Sequence, residues 1–276
     1  MRALDPDVTN DLWERFSALL PEVVDAHPLG CHRPRVDDRV CFDGIVIRLV
    51  TGCSWETTER LLGGIVSDTT LRTRRDEWID AGVFDQLAEL IIGIYDADHG
   101  LDLTEVGVDG SQHKAPCGGA GTGPSPVDRA KRGWKWSIAV DGAGIPIGWC
   151  VDQANRNDCK LLEPTLDDVT QRGFTGRIGR LHLDRGYDFD FVRDVVADAG
   201  IKRVDIQRRR RPGEPKTRQP LRLGLRWPVE RTNSWLTNFG QLRRNTDRQT
   251  RHRHAQLALA ISLIITVKLL DNAPTR

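Results

Sequence analysis

The chain has 276 residues, enough for one large domain or for a small domain joined to a medium one. Its formal charge of +1 hides a segregation: residues 201–254 carry 16 Lys/Arg against 4 Asp/Glu, a net of +12 that leaves −11 for the rest. A basic block of that size points to an anionic polymer as partner, most often nucleic acid. Trp227, Trp235, Leu236 and Phe239 lie inside it, which argues against a merely solvated or disordered tail.

The N-terminus opens without an apolar run, so no secretory signal is expected. The longest apolar stretch, LALAISLIITV at 257–267, is too short to span a bilayer and reads as a buried helix, so no membrane association is expected. Six cysteines without a CxxC pair argue against a zinc ribbon and a disulfide framework, and for a reducing cytosol. Cys31 and His32 with Cys41 and Cys53 could form a zinc set, weighed against ordinary buried thiols.

Residues 1–100 read as helices. VCFDGIVIRLVTG (40–52) has helical apolar spacing and stops at Gly52; Ser54 then caps WETTERLLGG, and Ser67 or Asp68 caps SDTTLRTRRDEWIDAG. Helix, glycine turn, helix is the outline of a helix-turn-helix, with Arg72 and Arg75 in the half of the third helix that usually meets DNA. Against this stands the local charge, 10 basic and 19 acidic side chains in residues 1–100.

From residue 101 the pattern turns to strands. LTEVGVDGS (103–111) alternates and ends at Asp109, and KWSIAVDGAGIPIGWCV (135–151) reads as a hairpin about residues 141–144. A helix follows over 158–171, then a strand in GRIGRLHLDRG whose end carries Asp184, a helix over 189–200, a short strand over 201–207 and the helix with Glu230. A three-strand meander followed by alternating units predicts an α/β (α+β) mixed sheet with helices on its faces, preceded by a small helical domain. The expected division is 1–100 and 101–276. The stretch KAPCGGAGTGPSPVDRAKRG (114–133) reads as a mobile loop; it lacks GK[ST], so it is not a P-loop.

Asp109, Asp184 and Glu230, separated by 75 and 46 residues, are the candidate site. Sites in open α/β sheets form beyond the carboxyl ends of strands. Two aspartates side by side there repel unless a cation joins them, and hard oxygen ligands with open positions select Mg²⁺. Pro228 suits the first position of the helix bearing Glu230, with Val229, Leu236 and Phe239 as its buried stripe. Arg226 and Arg231 flank the glutamate, placed for phosphates or for a carboxylate. Singly, Asp109 also fits a turn, Asp184 a helix cap and Glu230 a helix-start acid. His113 and His182, near these acids, read as packed, hydrogen-bonded histidines.

At these residues the chain resembles the DDE transposases of the IS5 group in the IS4-like superfamily of insertion-sequence transposases. The resemblance covers nearly the whole chain: VDGSQHKAP, SPVDRAKRGWKWSIAVDGAGIP, ANRNDCKLLEP, LHLDRGYD and RWPVERTNSWL stand in the family's order, after a similar helical RVDDRVCFDGIVIRLVTGCSWETT. It implies an RNase H-like catalytic domain with Asp109, Asp184 and Glu230 as catalytic, metal-binding triad, two Mg²⁺ ions (Mn²⁺ substituting), and cleavage at element ends followed by 3′-OH strand transfer. In the superfamily's Tyr-Arg-Glu-Lys signature Arg226 and Glu230 fit, whereas Leu223 and Thr237 stand where Tyr and Lys would be. Arg231, Arg243 and Arg244 are the candidates to supply the missing charge. The implied partners are double-stranded DNA, as terminal inverted repeats and target, and a second copy of the chain on that DNA, in a cytoplasmic, nucleoid-associated protein. A catalytically silent DNA-binding derivative and a nuclease without strand transfer are the competing readings.

Overall fold

A computed structural model describes residues 2–22, 34–208 and 223–272, with the side chains of 223–226 excluded. Cys31 and His32 of the zinc alternative, and residues 209–222 of the basic block, lie outside the described residues. The described cysteines are free thiols.

Five helices come first: α1 (Pro6–Ser17), α2 (Asp38–Thr51), α3 (Trp55–Leu61), α4 (Asp68–Asp80) and α5 (Val83–His99). Their ends follow local chemistry. Gly52 closes α2 at φ 74°, and a Cβ there would also meet the Gly240 backbone at 2.7 Å. Ser54 caps α3 by accepting from the Thr57 N–H at 3.1 Å. The choice between Ser67 and Asp68 resolves to Ser67, which accepts from the Thr70 N–H at 3.1 Å.

A mixed sheet follows. β1 (Glu105–Lys114) lies between β3 (Arg132–Val140), antiparallel to it, and β5 (Arg180–Leu183), parallel to it. β4 (Pro146–Gln153) and the two-residue β2 (Gly123–Pro124) pair with β3, and β6 (Val204–Ile206) pairs in parallel with β5. The β3–β4 hairpin turns at 141–145, as expected. α6 (Leu162–Gln171), entered through a 3-10 turn at Asp158–Lys160, packs on one face, where the Thr165 hydroxyl donates to Ser137 at 2.8 Å. α7 (Asp190–Asp198) is the crossover from β5 to β6, and α8 (Leu223–Thr237) packs on β1 and β3.

Two expectations about the elements that carry the site need correction. Asp109 does not end its strand: β1 runs five residues further because its partner β3 continues beside it to Gly133. It is the shorter β5 that stops at this level. Pro228 does not start its helix either; α8 begins at Leu223, and the proline sits inside it, where its missing N–H removes one intrahelical bond. The Gly-rich segment read as a loop contains β2, and its Ala120 N–H donates to the Arg248 carbonyl at 2.8 Å.

α9 (Gly240–Arg243) and α10 (Thr250–Asn272) complete the chain. α10 is long and apolar enough to cross a membrane, but 72% of its apolar window is buried within the protein, as in a core helix. Two compact units result: residues 1–93, 238–245 and 251–276 form the helical unit, and residues 94–237 with 246–250 form the sheet unit. The units therefore do not follow a single linear cut, since α9 and nearly all of α10 group with the N-terminal helices.

Candidate active site

The site begins with strand register. Glu105, Val106 and Gly107 of β1 lie opposite Arg180, Leu181 and His182 of β5. Two residues further along each chain stand Asp109 and Asp184. Side chains in a strand alternate between faces, so residues two apart share a face. The parallel pairing thus brings two carboxylates to neighbouring positions, with strands ~4.8 Å apart. Asp184 leaves β5 still extended, and its carboxylate accepts the Gly186 N–H at 2.6 Å, which fixes the chain reversal after the strand.

Beneath this pair, on the opposite face, lies a group that no motif announced. A Cβ built on Gly110 would stand 2.3 Å from the Asp158 carboxylate oxygen, so a larger residue beside Asp109 would have to displace that carboxylate. Asp158 accepts from the Lys135 Nζ at 2.7 Å, and the same ammonium donates to the Arg156 carbonyl at 2.8 Å. Lys135 is 1% exposed. Tyr187 is buried as well; burial, and then the charges of Asp158, Asp109 and Asp184, push its phenol well above the ordinary range. The phenol therefore stays protonated and neutral among three carboxylates. Asp158 stands in ANRNDCKLLEP, one of the blocks that carry the resemblance, but nothing local marks it as a neighbour of Asp109.

Glu230 is exposed on α8. Three bonds hold that helix to the β3–β4 hairpin. The Arg231 guanidinium donates to the Ala143 carbonyl, the Thr232 hydroxyl to the Gly144 carbonyl at 2.7 Å, and the Trp136 indole to the Asn233 Oδ1 at 2.8 Å. Val229 and Leu236 are buried on α8, as the expected stripe requires; Phe239 is buried too but lies past the end of α8, as the extended residue before α9. Among the described residues no group of three or more His, Cys, Asp or Glu side chains gathers closely enough to hold a metal ion. The structure therefore brings Asp109 and Asp184 together and leaves Glu230 on the adjoining helix. In kind the donors suit a hard divalent cation: they are carboxylates, with no thiol or free imidazole among them.

The candidate basic residues divide. Arg72 is half exposed and paired with Asp68 at 2.8 Å. Arg75 is 6% exposed, bonded to Asp76 and placed over the Trp55 ring, so it does not offer its guanidinium on the face that Arg72 presents. Arg231 binds the hairpin turn and lies over Trp235. Arg243 and Arg244 are exposed. Arg226 lies on α8, with its side chain outside the described residues.

Both histidines are packed, as expected. His182 is bonded to Glu105, with Asp205 3.8 Å from its other nitrogen. His113 stacks on Trp136 with ring centroids 3.8 Å apart and shares a 2.8 Å hydrogen bond with Ser111. Burial pushes His113 from 6.5 down to about 3. Its folded-state value is depressed, so its contribution to stability is complete above pH 6.5 and is lost as pH falls toward 3. Thermal melts over that window should show His113→Phe, which keeps an aromatic ring, losing part of the wild-type acid sensitivity; an unchanged slope would contradict this.

A family model described as "Transposase DDE domain" matches residues 101–265, and one described as "Putative transposase of IS4/5 family" matches residues 8–88. The chain is 36% identical over 148 residues to a "Putative transposase for insertion sequence element IS402" of Burkholderia cepacia, covering 52% of this chain and 67% of the relative. It is 31% identical over 121 residues to "Insertion element IS402 uncharacterized 16.2 kDa protein" of the same organism, covering 44% of this chain and 82% of that one. No solved structure matches the chain. The DDE match spans more than half the chain and includes Asp109, Asp184 and the helix of Glu230, so the chain belongs to the IS4/5 family of DDE transposases, an insertion-sequence transposase with an RNase H-like α/β domain and a helical N-terminal region.

Proposed function

We propose that this transposase cuts DNA at its element's ends and joins the freed 3′-OH to target DNA through metal-dependent phosphoryl transfer, with Asp109, Asp184 and Glu230 as the ligands. The single observation that carries the reading is the β1–β5 register, which sets Asp109 and Asp184 side by side. Bound there, two Mg²⁺ or Mn²⁺ ions would supply charge neutralisation at the phosphate and at the attacking and leaving oxygens. Asp109, on the central strand, would hold the ions together with Asp184 and Glu230. Water adds to the phosphorus at the element end, the P–O3′ bond breaks, and the 3′ oxygen leaves as a hydroxyl. That hydroxyl then attacks a target phosphodiester in line, forming one P–O3′ bond as another breaks, its proton passing to solvent while the departing 3′ oxygen takes one up. The protein forms no covalent intermediate; orientation and electrostatics carry the rate.

The remaining partners follow from the same reading. Two element ends handled together call for a dimer on DNA. Arg72, Arg243 and Arg244 are exposed cations for phosphates, and Arg226 adds a fourth from sequence alone. Affinity for the ends should fall steeply with salt. On this reading the protein acts in the cytoplasm, associated with the nucleoid when bound to DNA.

The test is strand transfer in vitro with a labelled, pre-cut end, a supercoiled target and Mg²⁺ or Mn²⁺, comparing wild type with Glu230→Gln. Joined product from wild type alone supports the proposal. End binding without product from wild type would favour a silent DNA-binding derivative, and cutting without joining would favour a nuclease.

A further inference from the structure

We propose that Asn233 is a positioning residue for Glu230, acting through its buried hydrogen bond to Trp136. The inference rests on the proposed role of Glu230 as a metal ligand and adds what orients it. Glu230 stands on helix α8, whereas Asp109 and Asp184 are placed by strand pairing. A glutamate on a helix is aimed by the helix's rotation, at ~100° per residue. Asn233 lies three residues after Glu230, one helical turn along α8, and so shares its side of the helix.

The anchor it meets is rigid. Trp136 is fully buried, stacked on His113, and edge-on to Trp134 with centroids 5.4 Å apart. It is paired with Ser111, two residues from Asp109, and the strand alternation puts Trp136, Ser111 and Asp109 on one face. His113 reaches back to that same Ser111. An unbroken path thus runs from the strand of Asp109, through Ser111, His113 and Trp136, to Asn233 and the turn of Glu230. The indole N–H can only donate, so it fixes which end of the Asn233 amide faces the sheet. The Arg231 and Thr232 bonds end on backbone carbonyls of the hairpin turn, whereas the Trp136 bond ties α8 to the face carrying Asp109.

The test uses the full chain in three variants, Asn233→Leu, Trp136→Phe and the double, beside Glu230→Gln. Two quantities are read: the rise in melting temperature that Mn²⁺ produces over EDTA, and the Mn²⁺ concentration for half-maximal strand transfer. Glu230→Gln should diminish the Mn²⁺ stabilisation. Asn233→Leu should diminish it likewise and raise the half-saturating Mn²⁺ by about 10- to 100-fold, the range typical of residues that orient a ligand. It should also lower the melting temperature in EDTA, because it leaves a buried N–H without its acceptor. The double variant removes donor and acceptor together. It should recover melting temperature in EDTA while its Mn²⁺ dependence stays shifted, which a purely structural bond would not do. Recovery of both quantities together, or wild-type Mn²⁺ behaviour in Asn233→Leu and Trp136→Phe, overturns the proposal. Should Asn233→Leu not fold, Trp136→Phe alone decides it. An unchanged Mn²⁺ response in Glu230→Gln removes the metal-ligand reading itself, a failure distinct from the first.

Discussion

Asp109→Asn should lose strand transfer by more than about a thousandfold under the proposed mechanism, since it removes a carboxylate from the proposed metal site. The same variant should fold at least as well as wild type when metal is absent. Asparagine has the shape of aspartate, and β1 makes its register through the backbone, so nothing in the pairing with β3 or β5 is disturbed. What changes is the charge. Asp109 and Asp184 lie side by side, Asp158 stands close beneath, and all three raise the pKa of the buried Tyr187 phenol. Like charges that close together oppose each other until a cation joins them. Removing one should raise the melting temperature in EDTA and reduce the further rise on adding Mn²⁺. Activity and stability therefore move in opposite directions, which separates a functional carboxylate from a structural one. The measurements are joining of a pre-cut end and melting in EDTA and in Mn²⁺. Product at wild-type level would remove the metal site from this sheet edge.

Asp158→Ala should be among the most destabilising single changes in the sheet unit, at about 3–5 kcal/mol, the usual cost of leaving a buried charge without its partner. Lys135 is 1% exposed and has only the Arg156 carbonyl left to bind once the carboxylate is gone. The converse change should be milder. Lys135→Met leaves Asp158, whose side chain is 40% exposed and can be hydrated. Replacing both partners should recover much of the loss, because neither charge remains. Urea unfolding of the three variants checks the order, and equal losses for Asp158→Ala and Lys135→Met would contradict it. A folded Asp158→Ala should still join ends poorly. The Asp158 carboxylate is packed over Gly110, and the cavity it leaves lies directly behind Asp109.

What could be read from short windows of sequence was chemistry confined to short windows. Ser54 and Ser67 start helices and Gly52 ends one because a cap needs only its own next three residues. The turn at 141–145, the alternation of Val106 and Val108, and aspartates near strand ends are local in the same sense. The identities of Asp109, Asp184 and Glu230 as candidates came from such signals and from the resemblance of the blocks around them. Their relation did not. That β1 outruns β5, so that Asp109 sits in mid-strand yet beside Asp184, depends on how far β3 continues on the other side. The contact of Asp158 with Gly110 crosses 48 residues, and the bond from Trp136 to Asn233 crosses 97. Arg75 and Arg72 look alike in sequence, one turn apart on the same helix, but Trp55 lies against the first and solvent against much of the second. Pro228 would begin a helix on local preference, and packing of α8 on the sheet carries the helix through it. Propensity acts over a few residues at tenths to about one kcal/mol, while burial and buried ion pairs act across the fold at several. Local chemistry therefore settled which residues were candidates, and only the packed sheet and its helices decided which of them meet.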